Sequence, residues 1–142
     1  MGEIMRFFIT LSRKNLFIIL LVIVFGLIVA VQSSAVRMNR PDGSTNAMRV
    51  AFLETKGIFA EDSSVTSKNI IIPEEFSDVY EEYNTIQKKA GFDLSRHKGE
   101  DAVLYTYPLT ENTEAHLIVC KGVIIGGDIA SVELGGEMKP LK

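Results

Sequence analysis

Gly126-Gly127-Asp128, with His116 and Cys120 shortly before it, is the part of this chain whose residue types could do chemistry. Paired glycines in a strand remove side chains and let a ligand or another backbone come close. A bulge or a sharp bend accounts for them as well. The stretch is no phosphate loop, because neither Lys-Ser nor Lys-Thr follows and no glycine-rich strand-to-helix turn is present. Lys121-Gly122 reads as a two-residue hairpin connection, and counting outward from it pairs Cys120 with Val123, Ile118 with Ile125 and His116 with Gly127. His116 then projects over a surface emptied by glycine, while alternation puts Asp128 on the opposite face unless a bulge flips it. Imidazole is the usual general base but needs a partner to orient it. A satisfied or solvent-facing histidine is the plain alternative. His116 and Cys120 share a face at a separation of about 13 Å, too far to chelate one ion, so neither metal nor cofactor is expected.

Cys120 is the only cysteine, which excludes an internal disulfide and predicts a small buried hydrophobe in a strand. Tyr83, Tyr105 and Tyr107, with Tyr80, are expected to gather where a helix meets the sheet. There they either line a pocket or interface, or complete the core with only the hydroxyl at the surface. No serine has the setting of an activated nucleophile, and no nucleophile, base and orienting group stand out as a set. The expectation is therefore a protein that is not an enzyme. Its candidate ligand or partner residues are Gly126, Gly127, Asp128, His116, Tyr105, Tyr107 and Tyr83.

The elements that must position these residues are legible in the patterning. Ala102 to Leu109 alternates, with Val103, Tyr105 and Tyr107 on one face; Ala115 to Cys120 and Val123 to Ile129 follow, implying an antiparallel meander of three strands. Val65 to Ile72 reads as a further strand ended by Pro73. A helix is expected from Pro73 to Ala90, with Glu74, Glu75 and Asp78 at its positive end, Lys88 and Lys89 in its last turn and Gly91 after it. Its apolar stripe would be Phe76, Val79, Tyr80, Tyr83, Ile86 and Ala90, with Glu81, Glu82, Gln87 and Lys88 on the solvent side. An earlier helix capped by Ser44 would run to about Lys56 and stop at Gly57, burying Met48, Ala51, Phe52 and Thr55 with Val50 and Leu53. The tail from Gly135 is polar, with Leu134, Met138 and Leu141 packing back.

Leu16 to Val31 contains no polar side chain, and continued to Val36 the run is about 31 Å long as a helix, close to a bilayer's hydrocarbon thickness. Arg6, Arg13 and Lys14 precede it, which places the N-terminus on the cytoplasmic side. A signal peptide cleaved after Ala35 competes with a retained anchor, against the length of the run. Residues 1–41 hold five basic residues and one acid, net +4; residues 42–142 hold ten and seventeen, net −7. A domain of that sign repels phosphate backbones, so nucleic acid is excluded as an expected partner. The organisation is then a cytoplasmic N-terminus (1–15), a membrane anchor (16–36), a tether (37–46) and one extracytoplasmic domain (47–142). That domain is α+β, two helices packed on an antiparallel sheet of about four strands in the order α-β-α-β-β-β.

Ile72-Pro73 with Phe76, Val79-Tyr80, Tyr83-Asn84 and Gln87, then Gly91-Phe92-Asp93-Leu94, Tyr105-Thr106-Tyr107 and Ile125-Gly126-Gly127-Asp128-Ile129 resemble the bacterial domain-of-unknown-function family 4830 over roughly residues 47–138. The chain departs from that pattern at His97, where an aromatic is usual, and at His116, where Asn is usual. The resemblance implies a bacterial protein with a short N-terminal anchor and an extracytoplasmic domain, and it implies no reaction. Residues and resemblance together favour an extracytoplasmic binding or sensing module for a peptide or small ligand. An accessory protein contacting an envelope protein is the second reading, and a small hydrolase using His116, Asp128 or Asp93 the third.

Overall fold

The computed structural model of the chain describes residues 18–27, 40–133 and 136–142. Two compact units divide it, Met1–Asn39 and Arg40–Lys142. In the first, residues 18–27 form helix α1, whose large apolar side chains are exposed, from 45% at Ile19 to 66% at Phe25. Among the described residues no helix is long and apolar enough to cross a membrane. Both ends of the apolar run 16–36, the first three residues of the tether (37–39), and Leu134 lie outside the described residues.

The second unit is an α+β fold on an antiparallel sheet of five strands in the order β1-β2-β3-β4-β5: Thr66–Ile71, Asp101–Thr110, Thr113–Cys120, Val123–Ser131 and Met138–Pro140. The expected meander is present as β2 to β4. Lys121 (φ 50°) and Gly122 (φ 79°) make the two-residue turn between β3 and β4, both in the left-handed region that such a tight hairpin requires. The fifth strand was not expected. Met138–Pro140 pairs with Ala130 to Asp128, which seats Leu141 in the core with no exposure. At the other end of β4, Asp42 bridges Val123 and the Ile124 N–H donates to Pro41 O at 2.9 Å. The outer edge of β4 is thus covered at both ends, while among the described residues β1 has no neighbouring strand on its outer side.

Helices α2 (Asn46–Thr55) and α3 (Asp78–Lys89) pack on this sheet, and both differ in detail from the periodic reading. Thr45, not Ser44, caps α2, accepting from the Met48 N–H at 3.3 Å; the Ser44 N–H is taken by Asp42 Oδ1 at 2.8 Å. The α2 face turned inward is Arg49, Val50 and Leu53, and Met48, Ala51 and Thr55 are exposed. Helix α3 starts five residues later than the expected Pro73, because Ser77 Oγ accepts from the Tyr80 N–H at 3.4 Å and the Ser77 carbonyl from the Glu81 N–H. Its inward face is also different. Val79 is 78% exposed, whereas Asn84 and Gln87 are fully buried beside Tyr80 and Tyr83.

Alternation sorts the sheet into two faces. Tyr107, Ala115, Leu117, Val119 and Ile124 cluster with Leu53 of α2. Ala102, Ile118, Cys120 and Ile125 cluster with Ile72 and Leu94, against Phe76, Tyr80 and Tyr83. Val119 pairs with Ile124 but Ile118 with Gly126, so Ile125 is one extra residue in β4 and the ladder carries a β-bulge there.

Candidate functional site

The bulge decides the chemistry of the sheet. It shifts the register by one, so that His116 stands opposite Asp128, and Gly127 opposite Leu117. The expected pairing of His116 with Gly127 is thereby corrected, and Asp128 joins His116 on the α3 face. His116 Nδ1 lies 2.9 Å from Asp128 Oδ1, and its Nε2 lies 3.4 Å from Glu114 Oε2. The Tyr83 hydroxyl donates to Asp128 Oδ2 at 2.8 Å, and Gln87 Nε2 donates to the same oxygen at 3.4 Å. Gln87 Oε1 in turn accepts the Gly127 N–H at 2.7 Å. Asp128 is 1% exposed and receives three side-chain contacts. Among the described residues every buried side-chain nitrogen or oxygen has a partner.

The electrostatics follow from that arrangement. The hydrogen bond to Asp128 raises the His116 pKa above its ordinary value of 6.5, against the opposing effect of burial, and Glu114 adds to the rise. Burial, then the Asp128 charge, raises the Tyr83 hydroxyl. An imidazolium donates from both nitrogens, which suits a ring held between two carboxylates. A general base needs a free lone pair aimed at a substrate. Here each ring nitrogen already faces an acid, and the Tyr83 and Gln87 contacts to the same Asp128 tie α3 to the sheet.

A folded-state pKa above the unfolded one means that charged His116 stabilises the fold. That contribution is complete below about pH 6.5 and is lost as pH rises through the elevated folded value. Urea unfolding of residues 40–142 is therefore expected to show a fall in stability on going upward from pH 6.5, and His116→Gln should flatten that slope. A wild-type curve without such a fall would show that His116 is neutral in the fold.

The two other tyrosines lie on the opposite face. Tyr107 is fully buried; its hydroxyl accepts from Arg49 Nε at 2.9 Å and donates to Asn46 Oδ1 at 2.7 Å. Arg49 is 5% exposed; its guanidinium sits 3.6 Å over the Tyr105 ring and donates to the Gly43 carbonyl at 2.7 Å. Tyr83 is thus separated from Tyr105 and Tyr107 by the sheet, and the expected gathering of tyrosines is two sets. Nor do the glycines leave open space: atoms of Gln87, Leu94 and Ile118 border Gly126, and Leu141, Leu117 and the His116 carbonyl border Gly127.

Gln87 and Arg49 are the residues that the periodic reading missed. Gln87 follows Tyr80 and Tyr83 at steps of seven and four, so the stripe itself marked its face, but its polarity assigned it to solvent. A further group of metal-ligand spacing among the described residues, His97, Glu100 and Cys120, lies where β2 begins and β3 ends.

Open space lies elsewhere. Asn69, Val103 and Val119 form one rung across β1, β2 and β3, and Ile71 and Asp101 form the next. These residues, with Lys121 at the end, line a groove of about 680 Å³ on the α2 face of the sheet, beside the unpaired edge of β1. Ile71 is 67% exposed at its rim.

Comparison of the chain with protein-family models, with curated proteins and with solved structures gives no match in any of the three.

Proposed function

We propose that this chain is a non-catalytic binding module, tethered to a membrane by residues 16–36 with its folded unit extracytoplasmic, that takes an extended polypeptide segment in the groove beside β1. The open groove carries this reading. Its lining offers apolar Ile71, Val103 and Val119 with polar Asn69, Asp101 and Lys121 among them, the mixed lining that ligand sites use. Its border is a strand edge that no other strand among the described residues pairs with, and an added strand would satisfy its outward backbone groups. Lys68 at the centre of that edge opposes pairing with a second copy of the same strand, which favours a different chain as occupant. The tether is supported by the unbroken apolar run from Leu16 to Val31, by the exposure of its described part, and by the resemblance to family 4830. The engagement of both His116 nitrogens with carboxylates argues against the hydrolase reading.

A displayed library of random peptides, panned against the full chain in detergent micelles, tests the proposal. Selected peptides should protect β1 amides from hydrogen exchange. They should lose binding to Ile71→Lys, a change at an exposed strand position opposite Asp101 that costs the fold under about 1 kcal/mol. The same peptides, labelled and added to intact cells, should stain the surface. Absence of selected binders, or binders that protect α3 instead, would overturn the groove. Binding to purified protein without staining of cells would overturn the extracytoplasmic placement alone.

A further inference from the structure

His97, Glu100 and Cys120 come from three successive parts of the fold, and neither the groove nor the Asp128 network uses them. His97 closes the 3-10 turn Leu94–His97, Glu100 stands immediately before β2, and Cys120 is the last residue of β3. Gly99 lies between the first two with φ +74°, a conformation that a side chain would strain. The bend it makes is held twice. The Glu100 N–H donates to the His97 carbonyl at 3.0 Å, and Ile72 accepts from the Gly99 N–H at 2.8 Å and donates to the Glu100 carbonyl at 3.0 Å. Pairing of Val103 with Val119 then brings the start of β2 beside the end of β3. As a result His97 Nδ1 lies 2.7 Å from Glu100 Oε2, and Cys120 Sγ lies 3.4 Å from the same oxygen. One donor atom from each residue falls within 4.8 Å of the other two.

We propose that His97 Nδ1, a Glu100 carboxylate oxygen and Cys120 Sγ bind one zinc(II) ion, with water in the fourth position. Nitrogen, oxygen and sulfur together are a zinc donor set; magnesium and calcium take oxygen and leave thiolate aside. Zinc bonds of about 2.0 to 2.3 Å put the ligand atoms of a tetrahedral site roughly 3.3 to 3.8 Å apart. The sulfur–oxygen separation already meets that spacing, and the His97–Glu100 contact has only to open by a fraction of its length. Cys120 is buried while His97 and Glu100 are half-buried, so the cluster has a protected side and a wet side where the water ligand belongs. The site already attracts a cation: Lys121 Nζ lies 2.8 Å from Glu100 Oε1 on a largely exposed side chain that can swing away. On binding, the Cys120 thiol proton goes to solvent and the His97 ring keeps its proton on Nε2. Thiolate and carboxylate together cancel the charge of the ion.

Titration of the full chain in detergent micelles with cobalt(II), followed by zinc(II), tests the site. One cobalt per chain should bind with a thiolate-to-metal charge-transfer absorption and tetrahedral visible bands, and zinc should abolish both. Cys120→Ser should remove the charge-transfer band. Because Cys120 is buried and its variant could lose structure, Glu100→Gln at a half-exposed position serves as the second variant. It should bind zinc at least about tenfold more weakly while its circular dichroism stays that of the wild type. The proposal is overturned by the absence of saturable binding, by bound cobalt without the sulfur band, or by a folded Glu100→Gln chain that binds zinc as the wild type does.

Discussion

Asp128→Ala should cost the folded unit about 3 to 5 kcal/mol, the range for removing one member of a buried ionic contact and stranding the other. Burial alone does not set that figure; the company Asp128 keeps does. The side chain removed is the acceptor for the Tyr83 hydroxyl, for Gln87 Nε2 and for His116 Nδ1. All three donors belong to residues packed between α3 and the sheet. Alanine offers none of them an acceptor and leaves a cavity too enclosed to hydrate the set. Against a typical total stability of about 5 to 15 kcal/mol the loss is a large share. Asp128→Asn separates charge from shape. It retains an acceptor for Tyr83 and Gln87, so it should lose less than alanine, and it removes the carboxylate that raises His116, so the decline in stability above pH 6.5 should flatten. Urea unfolding of residues 40–142 measures both variants. An alanine cost below about 1 kcal/mol would mean that the network hydrates freely and does not join α3 to the sheet.

Most of the sheet was legible because its signals are local. Strict alternation from Ala102 to Leu109 and a Lys-Gly turn between two apolar runs specify strands and hairpin without reference to the rest of the chain. The features that make the site are non-local. Ile125 is apolar like its neighbours, so nothing in its type marks it as the extra residue; only the need to bury both Ile124 on one face and Ile125 on the other does. A shift of one residue then moved Asp128 from the face opposite His116 to the same face. Gln87 was assigned to solvent by polarity although its spacing from Tyr80 and Tyr83 placed it inward. A polar residue can sit in that stripe when a buried carboxylate and a bulged backbone N–H are there to meet it, and neither was visible before the register was known. The same holds for Arg49, whose inward turn is explained by the Tyr107 hydroxyl and the Gly43 carbonyl. Strand β5 is too short and too polar to announce itself, since Met138–Pro140 owes its conformation to the free edge of β4. The group of His97, Glu100 and Cys120 also depended on register, because only pairing of Val103 with Val119 aligns the start of β2 with the end of β3.

Gly127→Ala should cost about 3 kcal/mol, the upper end for forcing one methyl group into a filled space. Neither Gly126 nor Gly127 has a positive φ, so conformational freedom is not the reason for either glycine. Space is the reason, and the two differ in what occupies it. A Cβ on Gly127 would lie 2.5 Å from Leu141 Cδ1, 2.7 Å from the His116 carbonyl oxygen and 3.0 Å from Leu117 Cδ2. The carbonyl belongs to the β3 backbone, which cannot retreat without opening its pairing with β4. Leu141 and Leu117 are fully buried and have nowhere to go. A Cβ on Gly126 would instead meet side-chain ends, Gln87 Oε1 at 3.0 Å, Leu94 Cδ2 at 3.1 Å and Ile118 Cδ1 at 3.3 Å. Those can give by tenths of an ångström, at the expense of the Gln87 contacts, so Gly126→Ala should cost less. The pair of variants separates two meanings of the glycine pair. If the missing side chains leave room for the protein's own Leu141 and Gln87, unfolding measurements will register both substitutions, Gly127 more strongly. If they leave room for a ligand, Gly127→Ala will fold as the wild type does and lose only binding.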